Sequence, residues 1–157
     1  MNKERKHIVF LARWYPHRYD PMFGLFVQRH AEAAALFNDI TVIYCQQTCR
    51  DVSTTPINNK QDVVAVSPQK FEIVRTNENN VDTIRIYYKK PKNKVLSLLR
   101  FYRANMIGLK LCKHIDLIHV HILTRLGVIA WIQKILHKTP YIITEHWSRY
   151  PRMKQFF

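Results

Sequence analysis

Glycine is scarce in this chain, occurring three times in 157 residues, at Gly24, Gly108 and Gly127. Isolated glycines cannot form a glycine-rich dinucleotide fingerprint or a Walker-type phosphate loop, so nucleotide-binding classes that need either motif are excluded. Cysteine is equally sparse: Cys45, Cys49 and Cys112 are an odd number without a C-x-x-C pair. With no Asn-x-Ser/Thr sequon either, a secreted disulfide scaffold is disfavoured. Long apolar runs are also missing. Behind the charged amino terminus, the run from Ile8 to Ala12 is shorter than a signal-peptide core and far short of a membrane span. The chain is therefore expected to be soluble and cytoplasmic.

Acidic side chains are few as well, 11 against 25 Lys and Arg, which gives a formal charge of 25 − 11 = +14. Residues 1–88 hold 11 basic and 9 acidic groups (+2), whereas residues 89–157 hold 14 and 2 (+12). The basic surface belongs to the second half, and it predicts attraction to a polyanion: a phosphorylated substrate, nucleic acid or an anionic membrane. With 47% hydrophobic residues, the chain can bury one sizeable core and is expected to form a single domain over residues 1–157.

Residues 7–12 are a short continuous apolar run, the pattern of a strand buried on both faces. Residues 24–37 have helical spacing, with Phe26, Val27, His30, Ala34 and Phe37 on one side and Asp20 and Pro21 upstream as cap and first-turn residues. A second buried strand is expected over 40–45 and a polar loop over 46–69. The β-rich runs 71–75 and 83–88 flank Asn77-Glu78-Asn79-Asn80, which predicts a hairpin. A helix is expected over 95–113, a strand over 116–121, a helix over 124–137 and a strand over 140–144. This alternation predicts a Rossmann-like, three-layer α/β domain with a mainly parallel sheet, in which ligands bind at the carboxyl ends of strands.

Three expected strand ends carry unusual residues: Arg13-Trp14-Tyr15-Pro16-His17, His119-Val120-His121 and Glu145-His146-Trp147-Ser148. Alternation puts His119 and His121 on one face of their strand and Ile118 and Val120 on the other. His121 is expected to face a cleft beside Glu145 and the loop after Arg13, with His119 further back. The His-x-His also fits part of a metal-dependent hydrolase site completed by Glu145 and His146. His30 reads as a buried histidine with one hydrogen-bond partner. Gly24, at the entry to the first helix, offers a backbone amide to an anion.

In the basic half, Val95, Leu98, Leu99, Tyr102, Met106 and Leu109 form one stripe of a helical wheel and are expected to pack on the sheet. Leu96, Arg100, Arg103, Ile107 and Lys110 form another. With Lys89, Lys90, Lys92 and Lys94 just before it, this second side has the composition of an interfacial helix on an anionic membrane or a phosphorylated lipid. A basic nucleic-acid-binding α/β module is the reading from charge alone, but no helix-turn-helix, zinc-finger or RNP-like strand accompanies it.

Four segments together carry a resemblance: Trp14-Tyr15-Pro16, the run from Asp20 to Ala31, Asp116 to His121, and Pro140 to Ser148. Their order and spacing resemble the amino-terminal domain of bacterial family-4-type retaining glycosyltransferases of GT-B architecture. The resemblance implies an acceptor-side Rossmann-like domain of an enzyme that moves a sugar from a nucleotide-sugar to a saccharide or lipid-linked acceptor in cell-surface glycan synthesis. It implies His121 as the catalytic histidine facing the reacting sugar and Gly24 on the donor-diphosphate loop. Trp14, Tyr15, Glu145 and His146 are implied to line the acceptor cleft. Where many relatives carry two glycines this chain has Phe23-Gly24, and Arg149 stands where many have a smaller residue. No cofactor or metal is implied, because the nucleotide-sugar is a substrate. The family's second, nucleotide-sugar domain has no counterpart in the sequence, so the chain is expected to be a fragment, inactive alone and peripheral on the inner face of the cell membrane.

Overall fold

The computed structural model describes residues 4–48, 63–67 and 71–146. Its elements run β1 (His7–Ala12), α1 (Leu25–Ala35), β2 (Asp39–Thr48), β3 (Val63–Ser67), β4 (Phe71–Glu78), β5 (Val81–Lys89), α2 (Lys94–Lys110), β6 (Leu117–His121), α3 (Thr124–His137) and β7 (Tyr141–Thr144). The seven strands form one sheet in the order β3-β4-β5-β2-β1-β6-β7. Pairings among β5, β2, β1, β6 and β7 are parallel, and β4 and β3 are added antiparallel at one edge. The protein is thus an α/β domain with a mainly parallel sheet, as the alternation predicts.

The sheet's two faces are covered by different helices. Val9, Leu11, Ile43, Ile84, Ile118 and Val120 pack with Phe101, Ala104, Leu126 and Ile129 of α2 and α3. Phe10, Ala12, Val42 and Tyr44 pack with Val27, Ala31 and Ala35 of α1. β1 and its neighbours need apolar side chains on both faces for this reason, which is why they read as continuous rather than alternating runs. Strand order reverses between β1 and β6: the chain leaves β1 towards β2 on one side and later returns to β6 on the other. In open α/β sheets this switch point opens a crevice at the carboxyl edge.

Several local expectations are corrected. The buried stripe of α1 is Val27, Ala31 and Ala35, whereas Phe26 and Phe37 are exposed. Its N-cap is Gly24 instead of Asp20, whose carboxylate accepts from the Met22 amide within the preceding turn. Helix α2 is rotated from the expected wheel. It buries Ser97, Phe101, Ala104, Asn105, Gly108 and Leu109, while Val95 and Leu99 are 66% and 59% exposed. A Cβ on Gly108 would lie 2.6 Å from Cγ2 of Ile43, so the helix sits close to β2 on its small residues. β2 runs on to Thr48, and β3 lies inside the stretch read as a loop; residues 49–62 and 68–69 of that stretch, including Cys49, lie outside the described residues. The hairpin is confirmed as β4-β5, turning at Asn79 and Asn80 with φ of 53° and 63°. Two consecutive left-handed residues are the signature of a type I′ turn, which asparagine tolerates.

Candidate functional site

The carboxyl ends of β1, β6 and β7 bring together four imidazoles. His121 is level with Ala12 on β1 and with Thr144 on β7. Because β6 alternates, its His119 and His121 both turn to the α1 face, where each ring contacts Phe10 at centroid distances of 4.7 and 4.6 Å. The two rings lie 4.2 Å apart. From α1, His30 approaches the His121 and His146 rings at 6.0 and 5.4 Å, and Phe26 packs edge-on against His146 at 4.7 Å. The loop after β1 joins through Trp14, whose ring meets Phe23 and Phe26 edge-on.

His121 is the floor of this cluster, with 0% exposure. Its Nδ1 lies 3.0 Å from Nε2 of His146, and its Nε2 is buried with no hydrogen-bond partner among the described residues. The planes of the two rings differ by 3° and their centroids are 5.3 Å apart. A ring nitrogen lies about 1.1–1.2 Å from its centroid, so the N···N vector runs along the line of centres: the rings meet edge to edge instead of stacking, and one donates to the other. Burial, reinforced by the neighbouring His119, His146 and His30, pushes the His121 pKa down to about 3. Burial followed by the charges of His30 and His146 brings His119 down to about 4. Burial also lowers His146, with Glu145 acting in the opposite sense. His119 and His121 are therefore neutral at physiological pH.

The turn after β6 is strained. Ile122, a buried β-branched residue, has a φ of 75°, a conformation that costs on the order of 1–3 kcal/mol and recurs at functional sites. Two bonds hold it: the Ile122 amide donates to the Thr144 carbonyl at 2.9 Å, and the Leu123 amide donates to Oε2 of Glu145 at 3.0 Å. The Glu145 carboxylate thereby sits at the amino end of α3, where the helix dipole favours negative charge.

Gly24 has a geometric reason to be glycine. Its φ is 67°, and a Cβ there would lie 2.4 Å from the Trp14 carbonyl carbon and 2.5 Å from the Tyr15 nitrogen. The start of α1 is therefore pressed against the loop after β1.

The sequence-predicted residues fall into three groups. His121, His146 and Glu145 meet at the carboxyl edge beside Gly24 and Trp14. Tyr15 instead belongs to the core, 2% exposed, with its ring beside Tyr44 and its hydroxyl 3.5 Å from that of Thr83. His121 and His119 exchange their expected depths, since His121 is the more buried; His119 is half-buried with Nε2 2.7 Å from the Thr144 hydroxyl. Lys89, Lys90, Lys92 and Lys94 run from the end of β5, at the same sheet edge, into the first residue of α2. Arg100 is half-buried and donates to the Lys89 carbonyl at 3.0 Å, and Arg103 is exposed. Trp147, Ser148 and Arg149 lie outside the described residues.

Sequence reasoning misplaced His30. It is exposed instead of buried, and it completes a trio with His121 and His146 in which one ligand-type nitrogen from each lies within 4.8 Å of the others. No signal in the sequence placed it, because the rotation of α1 that exposes it is set by the packing of Val27, Ala31 and Ala35 on the sheet. A separate concavity at the opposite edge is lined by His7, Thr41, Arg75, Asp82 and His114 among others. Its Arg75 is already paired with Asp82 at 2.7 Å. No family model matches the chain, and no curated protein does.

Proposed function

We propose that this domain is the acceptor side of a retaining glycosyltransferase that moves a sugar from a nucleotide-sugar to a saccharide or lipid-linked acceptor. The observation that carries the reading is the meeting of His121, the Glu145-His146 pair and the Gly24-Trp14 contact at the carboxyl edge of one switch point. Such crevices are where α/β sheets bind ligands.

The electrostatics of His121 support this role. A retaining transfer passes through a transition state with oxocarbenium character. A neutral imidazole with one uncommitted nitrogen can hydrogen-bond to a sugar without placing positive charge beside the developing cation. With its depressed pKa His121 acts by hydrogen bonding and positioning, not as a general acid. A substrate meets the exposed His30 and the half-buried His146 first, and it reaches His121 when these move aside.

The start of α2 supports a membrane-bound acceptor. Val95, Leu96 and Leu99 are exposed, as are Lys90, Lys92 and Lys94 just before them and Arg103 one turn after Leu99. Exposed apolar side chains flanked by cations fit an anionic bilayer surface, each basic residue near the surface adding about 1 kcal/mol of attraction. No helix among the described residues is long and apolar enough to cross a membrane, so the contact proposed is interfacial.

The experiment is a transfer assay on the product of the complete reading frame, with a panel of nucleotide-sugars and with lipid-linked saccharides as acceptors in anionic vesicles. Transfer from one nucleotide-sugar class is the expected result. Absence of transfer across the panel overturns the reading.

A further inference from the structure

We propose that His30, His121 and His146 bind one divalent transition-metal ion of the zinc type. The inference does not depend on the transferase reading, and it differs from a His-x-His site because His119 is outside the convergent trio.

The geometry comes close to what three imidazoles need around one ion. With metal–nitrogen bonds of about 2.0–2.1 Å and tetrahedral angles, ligating nitrogens lie about 3.3 Å apart and ring centroids about 5.2 Å apart. The observed centroid distances are 5.3 Å for His121–His146, 5.4 Å for His30–His146 and 6.0 Å for His30–His121. The His121 and His146 nitrogens, at 3.0 Å, are near the ligand spacing but aim at each other, so both rings turn towards the ion on binding. The longest nitrogen separation in the trio, within 4.8 Å, must shorten by roughly 1.5 Å to reach that value. His30 is the ring free to make this move, being exposed on the surface of α1.

Two further features fit an ion. An all-imidazole set suits zinc, copper or nickel and is poor for magnesium or calcium, which require oxygen ligands. Glu145 directly precedes His146, and its carboxylate is held by the Leu123 amide two residues after His121, so a negative charge stands beside the site. Solvent reaches the site past His30, and a fourth position stays open to water or a ligand oxygen.

The test uses the whole 157-residue chain, treated with chelator and then titrated with zinc by calorimetry and with cobalt(II) by visible absorption. Expected are one zinc per chain, a tetrahedral-type cobalt spectrum and no competition from magnesium. His30→Ala and His146→Ala should each weaken zinc binding at least about tenfold, the scale seen when a metal site loses supporting groups. His137→Ala, an exposed histidine in the last turn of α3, should leave binding unchanged. Circular dichroism of His30→Ala, which removes an exposed side chain, checks that the fold is retained. Absence of saturable binding, or affinity unchanged in both His30→Ala and His146→Ala, overturns the proposal. Because no substrate is present, failure here leaves the transferase reading standing, and failure of transfer leaves the metal site standing.

Discussion

Nδ1 of His121 and Nε2 of His146 lie 3.0 Å apart in rings that are coplanar to within 3°. One ring must donate and the other accept, so His146 fixes which nitrogen of His121 carries its proton, and hence what the partnerless Nε2 can offer a ligand. On the proposed transferase reading, His121→Ala should lower turnover by about 100-fold, the range lost with a preorganised polar group. His146→Ala should cost less, with His146→Gln restoring part of the loss. Wild-type turnover in His121→Ala, with the fold checked by circular dichroism, would remove His121 from the site.

The histidine cluster should make stability depend on pH. With folded pKa values near 3 for His121 and 4 for His119, the unfolded chain binds more protons than the folded one below the ordinary histidine value of about 6.5. Stability is therefore full above that value and declines as pH falls towards the folded values. His30 on α1 and His146 after β7 face the pair and repel its charging, and Glu145 opposes this only at His146. The urea midpoint, measured with chelator present, should be lower at pH 5 than at pH 7.5. The depressed carboxyls of Glu32 and Asp116 titrate below this window. An equal midpoint at both pH values would contradict the burial assigned to the two rings.

Two glycines should respond oppositely to alanine. At Gly24 the new Cβ meets backbone at 2.4–2.6 Å and the φ of 67° is unfavourable, so Gly24→Ala should destabilise by about 2 kcal/mol or more. At Gly127 it meets the Leu123 side chain, Cδ1 at 2.7 Å and Cγ at 3.7 Å, which can rotate away, and alanine's helix propensity recovers up to about 1 kcal/mol. Urea unfolding of the two variants separates them; equal losses would contradict the close contact between Gly24 and the Trp14-Tyr15 backbone.

Vesicle co-sedimentation tests the start of α2. Binding should require anionic lipid, weaken with salt, and fall when Lys89, Lys90, Lys92 and Lys94 are replaced by Gln. Replacing Val95 and Leu99 by Ser should weaken it further with the charge unchanged. Equal binding to neutral and anionic vesicles, or none at low salt, would refute an interfacial role.

Those exposed residues also show where sequence reading reaches its limit. The strands around β1, the β4-β5 hairpin and the span of α3 were legible because apolar runs, Asn-Asn and helical spacing act locally. The rotation of α1 and α2 was not. A wheel reading turns the largest apolar groups inward, yet these helices approach the sheet on Ala31, Ala35, Ala104 and Gly108, and close packing leaves Phe37, Val95 and Leu99 outside. β3 was hidden because Val63 to Val66 follow a polar stretch whose Pro and Asn outweighed four apolar residues. At the site, alternation along β6 placed both histidines on one face. It could not place His30, whose partners lie at the end of β6 and just after β7.

For the proposed transferase activity, the most direct measurement is the anomeric configuration of the product, followed by proton NMR from the first turnovers with nucleotide-sugar and acceptor. Retention of the donor configuration, lost in rate but unchanged in sense when His121 is replaced by Ala, is the expected result. An inverted product, or release of free sugar without transfer, would contradict the assignment of this domain to a retaining glycosyltransferase.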